Sequence, residues 1–356
     1  MQVMIRVGLL AASAAVVASS AHAQSINPAF GGCYSIRDLG TPPGVPTPFG
    51  GVTFKHDDPD LMLLGGAANA ASGAIYAVRV TRDSEGIING YSGAATRFAD
   101  APNIDGGLTY GPGNVLFFTR FSTHAIGQIK PGQTTMAKSV GLTPIFQGST
   151  GSMQFVPAGY PGAGRLKVLS YSVGLWADIN YIADANGTYD FPAPANTIID
   201  ISPIRPEGVV YVQPGNPGFT KHSVLICDYS GGKVDAFDID ANGDPILATK
   251  RNLITGFPGP EGGTRDPRTG HFLFSTFLGN RLILITGFNT NCPANLVPDC
   301  AVDDLDFQIF APAYDILDCA DPTMPAGCPA DLNKDGFVDD ADFSIFVVAY
   351  NGLICN

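Results

Sequence analysis

Asp331, Asn333, Asp335, Asp339 and Asp342 place oxygen-bearing side chains at positions 1, 3, 5, 9 and 12 of a twelve-residue loop. Gly336 falls at position 6, where such a loop turns sharply, and the backbone carbonyl of Phe337 supplies position 7. A hard cation with six to eight oxygen ligands needs this layout; Ca2+ fits it best, whereas Mg2+ demands a tighter octahedron. Five ligand positions and a glycine together set the segment apart from a solvated acidic turn.

The loop is one half of a duplication. Cys292–Cys319 and Cys328–Cys355 align at an offset of 36, with sixteen of 28 positions identical, including Val-Asp-Asp-x-Asp-Phe-x-Ile-Phe and Ala-Tyr. Such self-similarity marks an internal repeat. After the second loop, Phe343, Phe346, Val347 and Tyr350 fall at i, i+3, i+4 and i+7, which is one face of a helix. Phe307, Phe310, Ala311 and Tyr314 repeat the face in the first copy, where Pro312 is expected to interrupt the helix. Two loop–helix units would bury these faces against each other. A core this small calls for help from metal and disulfides.

The paired repeat resembles the type I dockerin family, in which two calcium loop–helix units lack the entering helix of an EF-hand. The resemblance spans Cys292–Cys355 and rests on the second copy: Asp342 at position 12, Val338 at position 8 and no amphipathic helix before the loop. It implies one calcium site at Asp331, Asn333, Asp335, Phe337, Asp339 and Asp342. A weaker second site would use Asn295, Asp299, Asp303 and Asp306, because Val297 and Cys300 replace a ligand and the glycine. It also implies a cohesin-like or cell-surface partner. The partner-contacting positions here are Asp304-Leu305 and Asp340-Ala341 rather than the usual hydroxyl pair.

Charge and cysteine separate this tail from the rest. Residues 292–356 hold twelve Asp, no Glu, no Arg and one Lys, a net of -11 within a chain total of -12. Five of the seven cysteines lie there as well. We therefore expect a boundary at Thr290 to Asn291, with domains at 24–290 and 291–356. Two-fold packing of the helices predicts disulfides Cys292–Cys355 and Cys319–Cys328, with Cys300 a competitor for Cys292. Cys33 and Cys227 read as buried thiols.

The first 23 residues read as an export signal. Arg6 is followed by an apolar run, Val7 to Val17, and by Ala21-His22-Ala23, a small-residue cleavage pattern. The run is short for a membrane span. Cleavage after Ala23 predicts a secreted protein (extracellular, at the cell surface or periplasmic) with no transmembrane segment in the mature chain and with disulfides permitted. Hydrophobic residues make up 45% and charged residues 15%, which excludes general disorder. Net acidity argues against nucleic acid as a partner.

The body, 24–290, lacks long helical periodicity. Short strand-like runs recur instead: Asp60–Leu64, Ala74–Val80, Val115–Phe121, Leu166–Val173, Ser223–Asp228, Lys233–Ile239, His271–Phe277 and Arg281–Thr286. The 43 Gly and 28 Pro punctuate them with turns. Fragments beginning at Gly51, Gly107, Ser152, Gly208 and Gly262 repeat at spacings of 56, 45, 56 and 54. Units of that length suit four-stranded propeller blades. The expected fold is all-β: a β-propeller of about five blades, six if two are merged, followed by a small α-helical calcium module. A β-sandwich pair or a β-helix is the competing architecture. The stretch Tyr34–Thr41 is placed to supply the last blade's outer strand and remove an open edge. Pro206–Tyr211 gives the units a loose resemblance to NHL and gluconolactonase-like propellers.

Residues that open the innermost strands should line the channel, which brings Asp105, Glu207 and Glu261 to one axis. Three carboxylates there suit metal binding or the polarisation of a lactone or glycosidic substrate; capping of turns is the plainer reading. No H-E-x-x-H, G-x-S-x-G or phosphate-binding loop occurs, and the histidines (His22, His56, His124, His222, His271) are scattered. A Ser/His/Asp triad has no fixed order in sequence and stays open. Tyr171, Trp176, Tyr181 and Tyr189 suit either sugar stacking or sheet packing. Two functions fit. One is a secreted calcium-binding protein whose propeller recognises a carbohydrate or protein ligand and whose tail attaches or assembles it. The other is a secreted hydrolase of polysaccharide (O-glycosyl) or lactone substrates that uses the channel carboxylates.

Overall fold

The computed structural model describes residues 24–30, 33–288, 293–297 and 301–352. The expected leader 1–23 and the expected boundary at Thr290 to Asn291 lie outside them. The body is a propeller of five antiparallel blades. The innermost strands are Phe49–Lys55, Ile104–Tyr110, Thr150–Phe155, Pro206–Val212 and Pro260–Arg265, one for each of the five repeated fragments. They neighbour one another in that order and the fifth returns to the first, so the ring is closed. We number the blades 1 to 5 accordingly.

Each blade buries both faces against its neighbours, so its inner strands are apolar on both sides rather than alternating. The strand Leu282–Thr286 shows the result: its residues 282–285 are all buried. Five apolar clusters follow, one per junction. Between blades 1 and 2, for example, Leu63, Ile75 and Ala99 pack on Ile104, Leu116 and Phe118. Burying one such leucine or phenylalanine is worth about 1.5–3 kcal/mol, and every blade draws on two clusters.

The ring is shut by the two ends of the propeller body. Ser35–Gly40 pairs antiparallel with Leu282–Thr286, matching Ser35 to Thr286 and Gly40 to Leu282. The body's early residues thus complete blade 5, as the sequence suggests. An unexpected short strand, Ser25–Ile26, also extends blade 4 at Arg251–Thr255.

The C-terminal part holds two helices, α1 (Asp304–Ile316) and α2 (Asp340–Gly352). The two copies share one core, in which Phe310 of α1 and Phe346 of α2 stack with centroids 4.7 Å apart. Pro312 does not interrupt α1, contrary to expectation: the helix runs four residues beyond it. Pro312 is exposed while Phe310 and Ala313 are buried. The lost hydrogen bond therefore falls on the solvent side, and burial of the opposite face offsets a cost of about 3 kcal/mol. Among the described residues, no helix is long and apolar enough to cross a membrane.

Candidate functional site

Every innermost strand is bulged at the same place. The register shifts between Phe49 and Val52, Ile104 and Leu108, Thr150 and Met153, Pro206 and Val209, and Pro260 and Gly263. A bulge leaves residues unpaired and re-aims their side chains. The first residue of each bulge is Gly50, Asp105, Gly151, Glu207 or Glu261. The ring thus brings the three sequence-predicted carboxylates together, from blades 2, 4 and 5, while blades 1 and 3 carry glycine.

Glycine is required because the strands meet at the axis. A Cβ on Gly106 would overlap Glu207 Oε2, and one on Gly262 would lie 2.8 Å from Gly51 Cα. Two hydroxyls lock blade to blade. Thr119 accepts from the Gly107 amide at 2.9 Å and donates to the Gly151 carbonyl at 2.8 Å. Ser275 accepts from Gly262 at 2.8 Å and donates to Gly50 at 2.6 Å, across the closing junction. Cys227 occupies the same place in blade 4 as a free, fully buried thiol.

Asp105, Glu207 and Glu261 are 1%, 3% and 1% exposed. One oxygen from each lies within 4.8 Å of the others. Burial pushes Asp105 up to about 8, against the hydrogen bonds it makes with Glu261, Asn69 and the Gly106 amide. Burial also raises Glu207 and Glu261, reinforced by the charge of Asp105. Asp105 Oδ2, Glu207 Oε2 and Glu261 Oε1 are buried with no hydrogen-bond partner. Groups that only capped turns would have their oxygens satisfied.

Two features here escape sequence reasoning. Asn69, in a blade 1 turn at φ +62°, bonds to Asp105 through its side chain and keeps its own Oδ1 buried and unpartnered. Four aromatic rings also form a collar. The amides of Phe121, Tyr171, Tyr229 and Phe277 each donate to the carbonyl just before the innermost strand of their blade. Successive rings meet edge to face at 6.0, 5.7 and 6.0 Å. In blade 1 the same backbone bond is made by Ala68, so the collar is a horseshoe. Aligning the residue after each second strand could have found it. Of the aromatics singled out from sequence, only Tyr171 is in the collar. Trp176 is fully buried, and Tyr181 and Tyr189 pack with Phe155 and Phe117 in the sheets.

In the C-terminal part, Asp331, Asp335 and Asp342 each offer an oxygen within 4.8 Å of the others. The backbone pre-shapes this cage. Asp331 accepts from the amides of Asp335 and Gly336 at 3.1 and 2.9 Å, and Asn333 Oδ1 accepts from Asp335 at 2.9 Å. Asp342 is fully buried and accepts from Leu332, Asn333 and Asp339. Asp339 accepts from Ala341 at 2.8 Å. Gly336 takes φ +95°, the left-handed turn its position demands. The oxygens suit a hard cation.

The first loop repeats part of this frame. Asp306 is buried and accepts from Val297 and Asp303 at 2.8 and 2.9 Å, and Asp303 caps α1. Asp299 lies outside the described residues; Asn295 is among them. Cys319–Cys328 forms as expected. The expected Cys292–Cys355 pair, and Cys300, lie outside the described residues. Cys33 is disulfide-bonded rather than a thiol, a correction that spacing within the repeats could not reveal. His124 and His271 are buried singly, and His124 Nε2 bonds the Phe146 carbonyl at 2.8 Å rather than a nucleophile.

The fold and sites define a five-bladed propeller with buried axial carboxylates, joined to a paired acidic loop–helix part. No family model matches the chain and no curated protein matches it. Among solved structures, an auxiliary nutrient binding protein from Bacteroides ovatus is 10% identical, at a TM-score of 0.40 over 71% of this chain and 76% of that one. A streptogramin B lyase is 12% identical, at 0.38 over 71% and 97%. A Trichoderma reesei carbohydrate-active enzyme of family AA12 is 9% identical, at 0.42 over 74% and 97%. Likeness at this level assigns no activity.

Proposed function

We propose that this is an exported calcium-binding protein in which the propeller binds a ligand at its channel mouth and the acidic tail, once loaded with Ca2+, attaches or assembles it. The observation that carries the reading is the Asp331–Asp335–Asp342 cage, whose oxygens converge on one point with their backbone already arranged. The site residues are Asp331, Asn333, Asp335, the Phe337 carbonyl, Asp339 and Asp342. Carboxylates this close together repel, and a divalent ion relieves the repulsion. Tail attachment through the usual dockerin surface gains nothing here from Asp304 and Asp340, which are bonded internally by Tyr350 and Tyr314. A cell-surface or assembly partner that reads other faces of the loaded tail fits better.

Burial of the channel carboxylates supports binding over hydrolysis. A glycosidase pair flanks a scissile bond lying in a cleft between the two carboxyl groups, whereas these three are 1–3% exposed and converge on one another beneath the collar. Calorimetric titration of the full chain with Ca2+ tests the proposal. Asp331→Ala with Asp335→Ala should abolish one tight site and the Ca2+-dependent rise in melting temperature. Undiminished binding in that double variant would remove the assignment.

A further inference from the structure

We propose that Asp105, Glu207 and Glu261 hold one divalent metal ion on the propeller axis, with the side-chain oxygen of Asn69 as a fourth ligand, beneath the horseshoe of Phe121, Tyr171, Tyr229 and Phe277. This site is separate from the tail loop and does not depend on it.

Three independent features point to an ion. Each carboxylate keeps one buried oxygen with no hydrogen-bond partner, and Asn69, whose side chain bonds Asp105, keeps its Oδ1 buried and unpartnered as well. The strongest charges acting on Glu207 and Glu261 are those of neighbouring carboxylates. Their spacing is also right. Oxygens bound to one ion at ~2.3–2.6 Å cannot be more than about 5 Å apart, and these fall within 4.8 Å. The donors are all oxygens, which selects a hard cation such as Ca2+ or Mn2+ over Zn2+. Gly106, where a Cβ would overlap Glu207 Oε2, keeps room for that arm of the cage.

The collar shows which way the site opens. All four rings are half-buried, at the end of the channel where the bulges lie. Tyr229 is close enough to feel the charges of Glu261, Glu207 and Asp105 together. Blade 1 supplies neither a ring nor a carboxylate. It contributes Ala68 in place of the ring and, one residue later, the Asn69 amide. Coordination positions not filled by the protein therefore face the collar, where water or an oxygen-rich ligand completes the shell.

The test uses the full chain carrying Asp331→Ala and Asp335→Ala, so that tail binding is already removed. After dialysis against Ca2+ or Mn2+, elemental analysis should find one retained ion per chain. Adding Glu207→Gln and Glu261→Gln should weaken retention by more than ~100-fold, beyond the 10–100-fold that losing a supporting partner costs. Without metal the Gln variant should melt higher than its parent, because repulsion is relieved, yet it should gain nothing from added ion. That pattern separates a lost site from a lost fold. Tyr229→Phe should leave retention unchanged but sharply reduce tyrosine-sensitised Tb3+ luminescence. No retained ion in the tail-silenced parent, or full retention in the Gln variant, overturns the proposal and identifies carboxylates that share protons instead. Failure of the tail site alone would show as a second retained ion and leave this result readable.

Discussion

The Tyr350 hydroxyl donates to Asp304 at 2.5 Å, and Tyr314, its counterpart 36 residues earlier, donates to Asp340, the counterpart of Asp304 36 residues later. It is the same bond with the copies exchanged, on either side of the Phe310–Phe346 stack. The duplication therefore folds as an internal two-fold pair. Tyr314→Phe and Tyr350→Phe should each lower the tail's melting temperature slightly and by similar amounts. Differential scanning calorimetry of the Ca2+-loaded chain checks this, and a large asymmetry would contradict the two-fold arrangement.

Gly336→Ala probes the loop's backbone. Nothing lies within 4 Å of the added Cβ, so the penalty comes from φ +95° alone. A left-handed non-glycine residue costs roughly 1–2 kcal/mol, which is about tenfold in Ca2+ affinity. Calorimetric titration reads it, and an unchanged dissociation constant would mean that the loop does not need its turn.

Lys167 is fully buried between blades 3 and 4. Its ammonium group bonds Asp178 and Asp244, each at 2.5 Å, while Trp176 Nε1 donates to Asp244 at 2.8 Å. Lys167→Met removes the ammonium group shared by two buried carboxylates, leaving Asp178 with Arg165 and Asn196 and Asp244 with Trp176, and should cost about 3–5 kcal/mol. Urea denaturation measures it. Restoring neutrality with Asp244→Asn in the same chain should recover part of the loss.

His124 and His271 are each held below the ordinary imidazole range by burial. His124 bonds the Phe146 carbonyl through Nε2, and Nδ1 of both histidines is buried without a partner. The unfolded chain therefore binds more protons than the native one below the unperturbed pKa of ~6.5. Their contribution is full above that pH and falls as pH drops towards the depressed native values. The raised channel carboxylates act in the opposite direction over the same range, so the readout is a difference: between pH 7.5 and 5 the parent should lose melting temperature relative to the variant carrying His124→Gln and His271→Gln.

Much of the ring was legible because its inner strands repeat. The fragments at Gly51, Gly107, Ser152, Gly208 and Gly262 fall in the five innermost strands, and Tyr34–Thr41 brackets the closing strand. The three axial carboxylates were legible for the same reason, since they sit at one position of the repeat. Asn69 was not, because it lies in a turn without a counterpart in the other blades. The collar was missed because its members are Phe in two blades and Tyr in two, at the point where strand pattern gives way to turn. Pro312 was misjudged because a local rule about helix interiors met a helix held by its other face. Cys33 was misread because it lies outside the repeats whose spacing pairs other cysteines.

Pairing Ser35–Gly40 with Leu282–Thr286 has a consequence for synthesis. The residues that seal the ring leave the ribosome among the first of the body, yet their partners emerge only after nearly 250 more. Until then four and a half blades have no complete edge to lean on, and so high a sequence separation makes closure slow. For the export proposed above that delay would be a gain, because the circle cannot snap shut while its far end is still being made.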